Sequence, residues 1–122
     1  MPKKILIADD DQGIRETTKT RLEANGYEVI VASDGQEALD LLSKEGADLI
    51  ILDILMPGMD GYTFVKGVRG DAALKDIPII ILSGKDRMKD LFEMEGIKDY
   101  IVKPFKAPEL LATIAKHLRG SE

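Results

Sequence analysis

The segment Leu49-Ile50-Ile51-Leu52-Asp53-Ile54-Leu55-Met56-Pro57-Gly58-Met59-Asp60-Gly61 holds four consecutive apolar residues, an aspartate, and then a Pro-Gly turn signal. A strand with one wet face alternates apolar and polar residues. This run does not alternate, so it reads as a strand covered by helices on both faces, as in a parallel sheet. Four more short runs have the same character: Ile5 to Ala8, Val29 to Ala32, Ile79 to Leu82 and Tyr100 to Val102. Most of their residues are β-branched or leucine.

Between the runs lie segments with helical spacing. Met88, Leu91 and Phe92 fall at i, i+3 and i+4, and Leu110, Leu111, Ile114, Ala115 and Leu118 form one stripe of a last helix. Turn signals mark the joints: Asn25-Gly26, Gly46-Ala47-Asp48, Pro57-Gly58, and Pro78 ahead of the fourth run. Pro108-Glu109 suits the first turn of the last helix, where a missing N–H costs nothing and a carboxylate complements the dipole. The pattern is a βα unit repeated five times, which predicts an α/β fold with a parallel sheet between two helical layers. No linker, repeat or low-complexity stretch interrupts it, so residues 1–122 read as one domain.

Composition narrows the function. Apolar residues make up 44% of the chain and charged residues 32%, a soluble globular balance. No apolar run approaches the ~20 residues that span a bilayer. The opening Met-Pro-Lys-Lys-Ile-Leu-Ile-Ala is not a signal peptide, since its apolar run meets three aspartates after four residues. There is no cysteine, hence no disulfide framework and no thiolate metal site. A net charge of -5 without a basic stripe argues against direct nucleic-acid binding, because phosphate contacts dominate that affinity. A cytoplasmic location, with no membrane association, fits these features.

In a parallel sheet the carboxyl ends of the strands share one rim, where ligands bind. The residues delivered there are Asp9, Asp10 and Asp11, then Ser33 and Asp34, then Asp53, Ser83 and Lys103. In the doubly wound order 2-1-3-4-5, strands one and three are neighbours, which sets Asp9 and Asp10 beside Asp53 and leaves Ser33 and Asp34 at the edge. Three carboxylates together repel one another and call for a cation. All-oxygen ligands favour a hard one such as Mg2+. Lys103 adds a point charge suited to a phosphoryl oxygen, and Ser83 adds a hydroxyl. A carboxylate in that company suits covalent phosphoryl acceptance.

The plainer readings stand beside these. Asp53 alone could cap a turn, and Asp9 or Asp10 could cap the first helix, although Asp11 is the better placed for that. Ser83 could cap the following helix, Lys103 could be a solvated lysine, and Tyr100 could be packing. His117, the only histidine, lies in the last helix away from the rim.

Taken together, Ile-Leu-Ile-Ala-Asp-Asp-Asp, Leu-Ile-Ile-Leu-Asp-Ile-Leu-Met-Pro-Gly-Met-Asp-Gly, Ile-Ile-Ile-Leu-Ser-Gly and Asp-Tyr-Ile-Val-Lys-Pro-Phe resemble the signatures of bacterial response-regulator receivers. The resemblance covers the whole chain. It implies a flavodoxin-like five-stranded sheet with five helices, and two-component signalling through an aspartyl phosphate. By the resemblance Asp53 is the phosphoacceptor, and Asp9, Asp10, Asp53 and the backbone carbonyl of Leu55 hold Mg2+ or Mn2+. Ser83 and Lys103 contact the phosphoryl group, Ser83 and Tyr100 form the switch pair, and the Lys103–Pro104 bond is cis. The implied donor is a histidine kinase or phosphotransfer protein. The output is a protein target or an output domain outside this chain.

Three rival functions fit the sequence less well. An aspartate-nucleophile phosphohydrolase usually carries a second acid two residues past the nucleophile, where this chain has Leu55. A flavodoxin-like nucleotide binder needs a Gly-x-Gly-x-x-Gly or a complete phosphate loop, and neither is present. A degenerate receiver that binds without phosphorylation would not need the intact Asp9, Asp10, Asp53 and Lys103. One departure from the family stands out: Ser83 to Lys103 is twenty residues, somewhat short, so the fourth helix or its flanking loop is expected to be abbreviated between Gly84 and Ile97. Its Met88, Leu91, Phe92 and Met94 suggest a partner-facing, low-stability segment.

Overall fold

A computed structural model describes residues 3–9, 11–53, 61–83, 99–102 and 106–119. The strands are β1 (Lys4–Ala8), β2 (Glu28–Ala32), β3 (Leu49–Asp53), β4 (Ile79–Ser83) and β5 (Asp99–Val102). The helices among the described residues are α1 (Gln12–Ala24), α2 (Gly35–Glu45), α3 (Gly61–Arg69) and α4 (Ala107–Arg119). All strands pair in parallel, in the order β2-β1-β3-β4-β5. The doubly wound sheet and its order agree with the sequence reading. The segment expected to be abbreviated between β4 and β5 lies outside the described residues.

The unbroken apolar strands are explained by two cores that share the sheet. Leu6, Ala8, Ile50, Leu52, Ile79 and Ile81 face one way and meet Ala38, Leu42, Phe64, Val65 and Val68 of α2 and α3. Ile5, Ile7, Leu49, Ile51, Ile80 and Leu82 face the other way and meet Leu22 of α1 with Leu110, Ile114 and Leu118 of α4. Alternate residues of one strand therefore serve opposite cores, and neither set can be polar. The stripe expected on the last helix is the buried one.

Local chemistry sets the helix ends. Asp11 caps α1 by accepting the Ile14 N–H at 3.0 Å, as its position suggested. Asp34 caps α2 by accepting the Glu37 N–H at 2.8 Å, and the Glu37 carboxylate accepts the Ser33 N–H at 2.6 Å. Caps of this kind contribute about 0.5–2 kcal/mol each. Gly26 (φ 91°) and Gly46 (φ 73°) follow the ends of α1 and α2 in the left-handed region where a side chain is costly.

The amino edge of the sheet is also tied. The Lys4 N–H donates to Asp48 Oδ2 at 2.8 Å, and the Asp48 N–H donates to the Lys4 carbonyl at 2.7 Å. Lys4 Nζ lies 3.4 Å from Glu28 and 3.5 Å from Glu45. Desolvation works against the Lys4 charge, but the two carboxylates outweigh it and raise its pKa. A cation with a raised folded pKa stabilises fully below its unfolded value of about 10.4, and the contribution is lost as pH rises through the folded value. Lys4→Met should therefore melt below the wild type at neutral pH, and the gap should close in the alkaline range. A gap that stays constant into the alkaline range would show that the ion pairs contribute nothing.

Candidate functional site

The carboxyl rim is built by register. Ala8 pairs with Leu52, so the next residues, Asp9 and Asp53, stand level on neighbouring strands. Asp53 is itself still paired, with Leu82, and Ser83 is paired with Val102. The two residues read from sequence as following their strands are thus the last residues within them.

Asp9 is the centre of the described part. It is the only buried polar or charged residue among the described residues, 2% exposed. Its N–H donates to the Ala32 carbonyl at 3.1 Å, which fastens it to the end of β2. One of its carboxylate oxygens accepts the Asp11 N–H at 3.0 Å. Its own carbonyl accepts from Arg15 Nη1 at 2.7 Å. The Asp11 carbonyl accepts the Arg15 N–H at 2.9 Å, the first turn of α1.

Ser33 and Asp34 sit at the edge beside β2, as expected, and are engaged in the start of α2 rather than in the rim. Tyr100 is half-buried against the core shared by α2 and α3, and pairs with Ile81, two residues short of Ser83. Asp10, Leu55, Lys103 and Pro104 lie outside the described residues, as do the side chains of Asp53 and Ser83. Among the described residues no three histidine, cysteine or acidic side chains are gathered together. No described helix is long and apolar enough to cross a membrane.

Arg15 is the contact that sequence reasoning missed. It lies one turn into α1, where a cation opposes the positive end of the helix dipole. A cation in that position needs a local acceptor, and that mismatch was the available signal.

Residues 5–115 match the response regulator receiver domain family. The chain belongs to that family. As a receiver it is a phosphoryl-accepting signalling domain of two-component systems, in keeping with the rim and the sheet order just described. It is 45% identical over 119 residues to a probable transcriptional regulator, ycf27, of Guillardia theta, covering 96% of this chain and 46% of that one. It is 39% identical over 121 residues to the response regulator MprA of Mycolicibacterium vanbaalenii, covering 98% of this chain and 52% of the relative. The receiver thus spans about half the length of these curated relatives. Among solved structures, a putative response regulator from Chloroflexus aurantiacus superposes with a TM-score of 0.91 at 38% identity, covering 98% of this chain and 99% of that one. The response regulator TrrA of Thermotoga maritima, solved in complex with Mg2+-BeF, superposes at 0.85 with 36% identity, covering 94% and 98%.

Proposed function

We propose that Asp53 is the phosphoacceptor of this receiver, taking its phosphoryl group from a phosphohistidine of a kinase or phosphotransfer protein. One observation carries the assignment: the buried Asp9, one residue past β1, stands level with Asp53 at the end of β3. Asp9, Asp10 and Asp53, with the Leu55 carbonyl, are the groups to hold Mg2+ or Mn2+. An all-oxygen set with a desolvated carboxylate fits such a hard cation, and the related Thermotoga protein was solved with Mg2+-BeF. When bound, the cation offsets carboxylate repulsion and the charge that develops on the phosphoryl oxygens.

This chain's own groups do the rest. A carboxylate oxygen of Asp53 attacks phosphorus, the P–N bond breaks, and its electron pair returns to the donor imidazole. Lys103 and Ser83 orient the phosphoryl oxygens by charge and hydroxyl donation. The new charge on the rim biases the Ser83–Tyr100 pair, and through it the surface that meets the target. Whether the target is a separate protein or an output domain of a longer chain, the receiver itself is not the nucleic-acid reader. A single receiver domain acting in the cytoplasm is the setting we assign to it.

The test is uptake of one phosphoryl group from acetyl phosphate, read by intact mass with and without Mg2+. Mg2+ should also raise the melting temperature by mass action. Asp10→Asn should remove that rise while stabilising the metal-free protein, because one repelling charge is gone. Retention of the full Mg2+ shift in Asp10→Asn would exclude Asp10 as a ligand.

Catalysis is confined to the receiver's own phosphorylation and slow dephosphorylation. Leu55 and Lys85 stand two residues beyond Asp53 and Ser83, the positions that the family resemblance implies gate water attack. Neither carries an acceptor that could orient a water. The aspartyl phosphate should decay more slowly in the wild type than in a Leu55→Asn, Lys85→Glu double variant. Equal decay rates would leave the water-gating role with other residues.

A further inference from the structure

We propose that Arg15 is a positioning residue for the metal-binding carboxylates, a role that rests on Asp9 and Asp10 being the ligands. Arg15 bridges both ends of the three-residue acid loop. Its guanidinium donates to the Asp9 carbonyl at 2.7 Å, and its N–H donates to the Asp11 carbonyl at 2.9 Å. Inside that bridge the Asp9 carboxylate accepts the Asp11 N–H, and the Asp11 carboxylate caps Ile14. The loop is closed on itself at four points.

The cap beside the bridge leaves little room on one side. A Cβ added at Gly13 would stand 3.3 Å from Asp11 Oδ1, so the first turn of α1 has little space beside the cap. Arg15 itself is partly buried and spends its charge at the amino end of a helix, against the dipole. A site that keeps a cation there gains from its geometry, because a lysine presents one rotating ammonium and an arginine a planar fork. Groups that orient metal ligands without touching the metal typically change affinity about 10- to 100-fold when removed.

Electrostatics and positioning predict opposite signs, which makes the role testable. Arg15 is a positive charge close to where Mg2+ would bind, so removing it on charge alone should tighten Mg2+ binding. Removing a positioning contact should weaken it. Mg2+ affinity is measured by isothermal titration calorimetry on the whole chain as wild type, Arg15→Met, Arg15→Lys and Asp10→Asn. Exchange of the Asp11 amide is followed by NMR without metal. Arg15→Met is expected to weaken Mg2+ binding about tenfold and to speed Asp11 exchange, with exchange in β1, β3 and β4 unchanged. Arg15→Lys should recover part of both. Tighter or unchanged Mg2+ binding in Arg15→Met overturns the proposal, as does faster exchange throughout the sheet, which would mark a general loss of stability. Wild-type Mg2+ affinity in Asp10→Asn identifies the other failure, that of the ligand assignment beneath it, whatever Arg15→Met does.

Discussion

Asp53→Asn is expected to take up no phosphoryl group from acetyl phosphate under conditions where the wild type takes up one. An amide oxygen carries no formal charge and is a poor nucleophile toward phosphorus, so the substitution removes the reacting group while keeping its shape. The fold should not suffer. Asp53 is the last residue of β3 and pairs through its backbone with Leu82, a contact that asparagine retains. Loss of one charge beside Asp9 should leave the metal-free protein as stable as the wild type or more so. Intact mass and a melt without metal separate the two properties. Undiminished labelling of Asp53→Asn would move the acceptor to another residue, which peptide mapping would then locate.

The largest stability effect is expected at Phe64. This side chain of α3 is fully buried in the core it shares with Leu6, Ile50, Leu52 and Ile81. Phe64→Ala removes the ring and leaves a void that the β-sheet cannot close, a loss of about 3–5 kcal/mol. Against a typical domain stability of roughly 5–15 kcal/mol, that is a large share. The melting temperature should fall by roughly 10–20 °C. Lys66, two residues further along α3, provides the contrast. It is exposed and stands 5.4 Å over the Tyr62 ring, a contact worth only about 0.5–1 kcal/mol at an exposed position. Comparable losses from Phe64→Ala and Lys66→Ala in urea titrations would show that this core is loosely packed.

The strands were legible because both of their faces are dry. Runs such as Ile5 to Ala8 and Leu49 to Leu52 have no polar residue to interrupt them, and their bounds came within one residue of those observed. The stripe of α4 was equally clear, since Leu110, Ile114 and Leu118 all enter one core. Helix α1 was less so: Leu22 is its only buried residue, and a nearly polar helix has little periodicity to read. At the rim, residue types and strand ends placed Asp9 and Asp53 together. What sequence did not reveal were side-chain bonds to backbone carbonyls. The carbonyl of Asp9 accepts Arg15, and the carbonyls of Lys75 and Ile77 accept Arg69, at 2.9 Å each in the second case. A carbonyl has no residue type, so such partners emerge only once the chain is folded.

The tie between Lys4 and Asp48 has a bearing on the far rim. Apolar alternation usually fixes strand alignment, because a slip by one residue would turn buried side chains outward. In β1 and β3 both faces are apolar, so a slipped pairing would still bury hydrocarbon and that safeguard is weak. The reciprocal bonds of Lys4 and Asp48 index the two strands at their first rung. Counting up from that rung through Ile5 with Leu49 to Ala8 with Leu52 brings Asp9 out opposite Asp53. The alignment of the two carboxylates is thus set at the opposite end of the sheet, by residues that never meet the phosphoryl group.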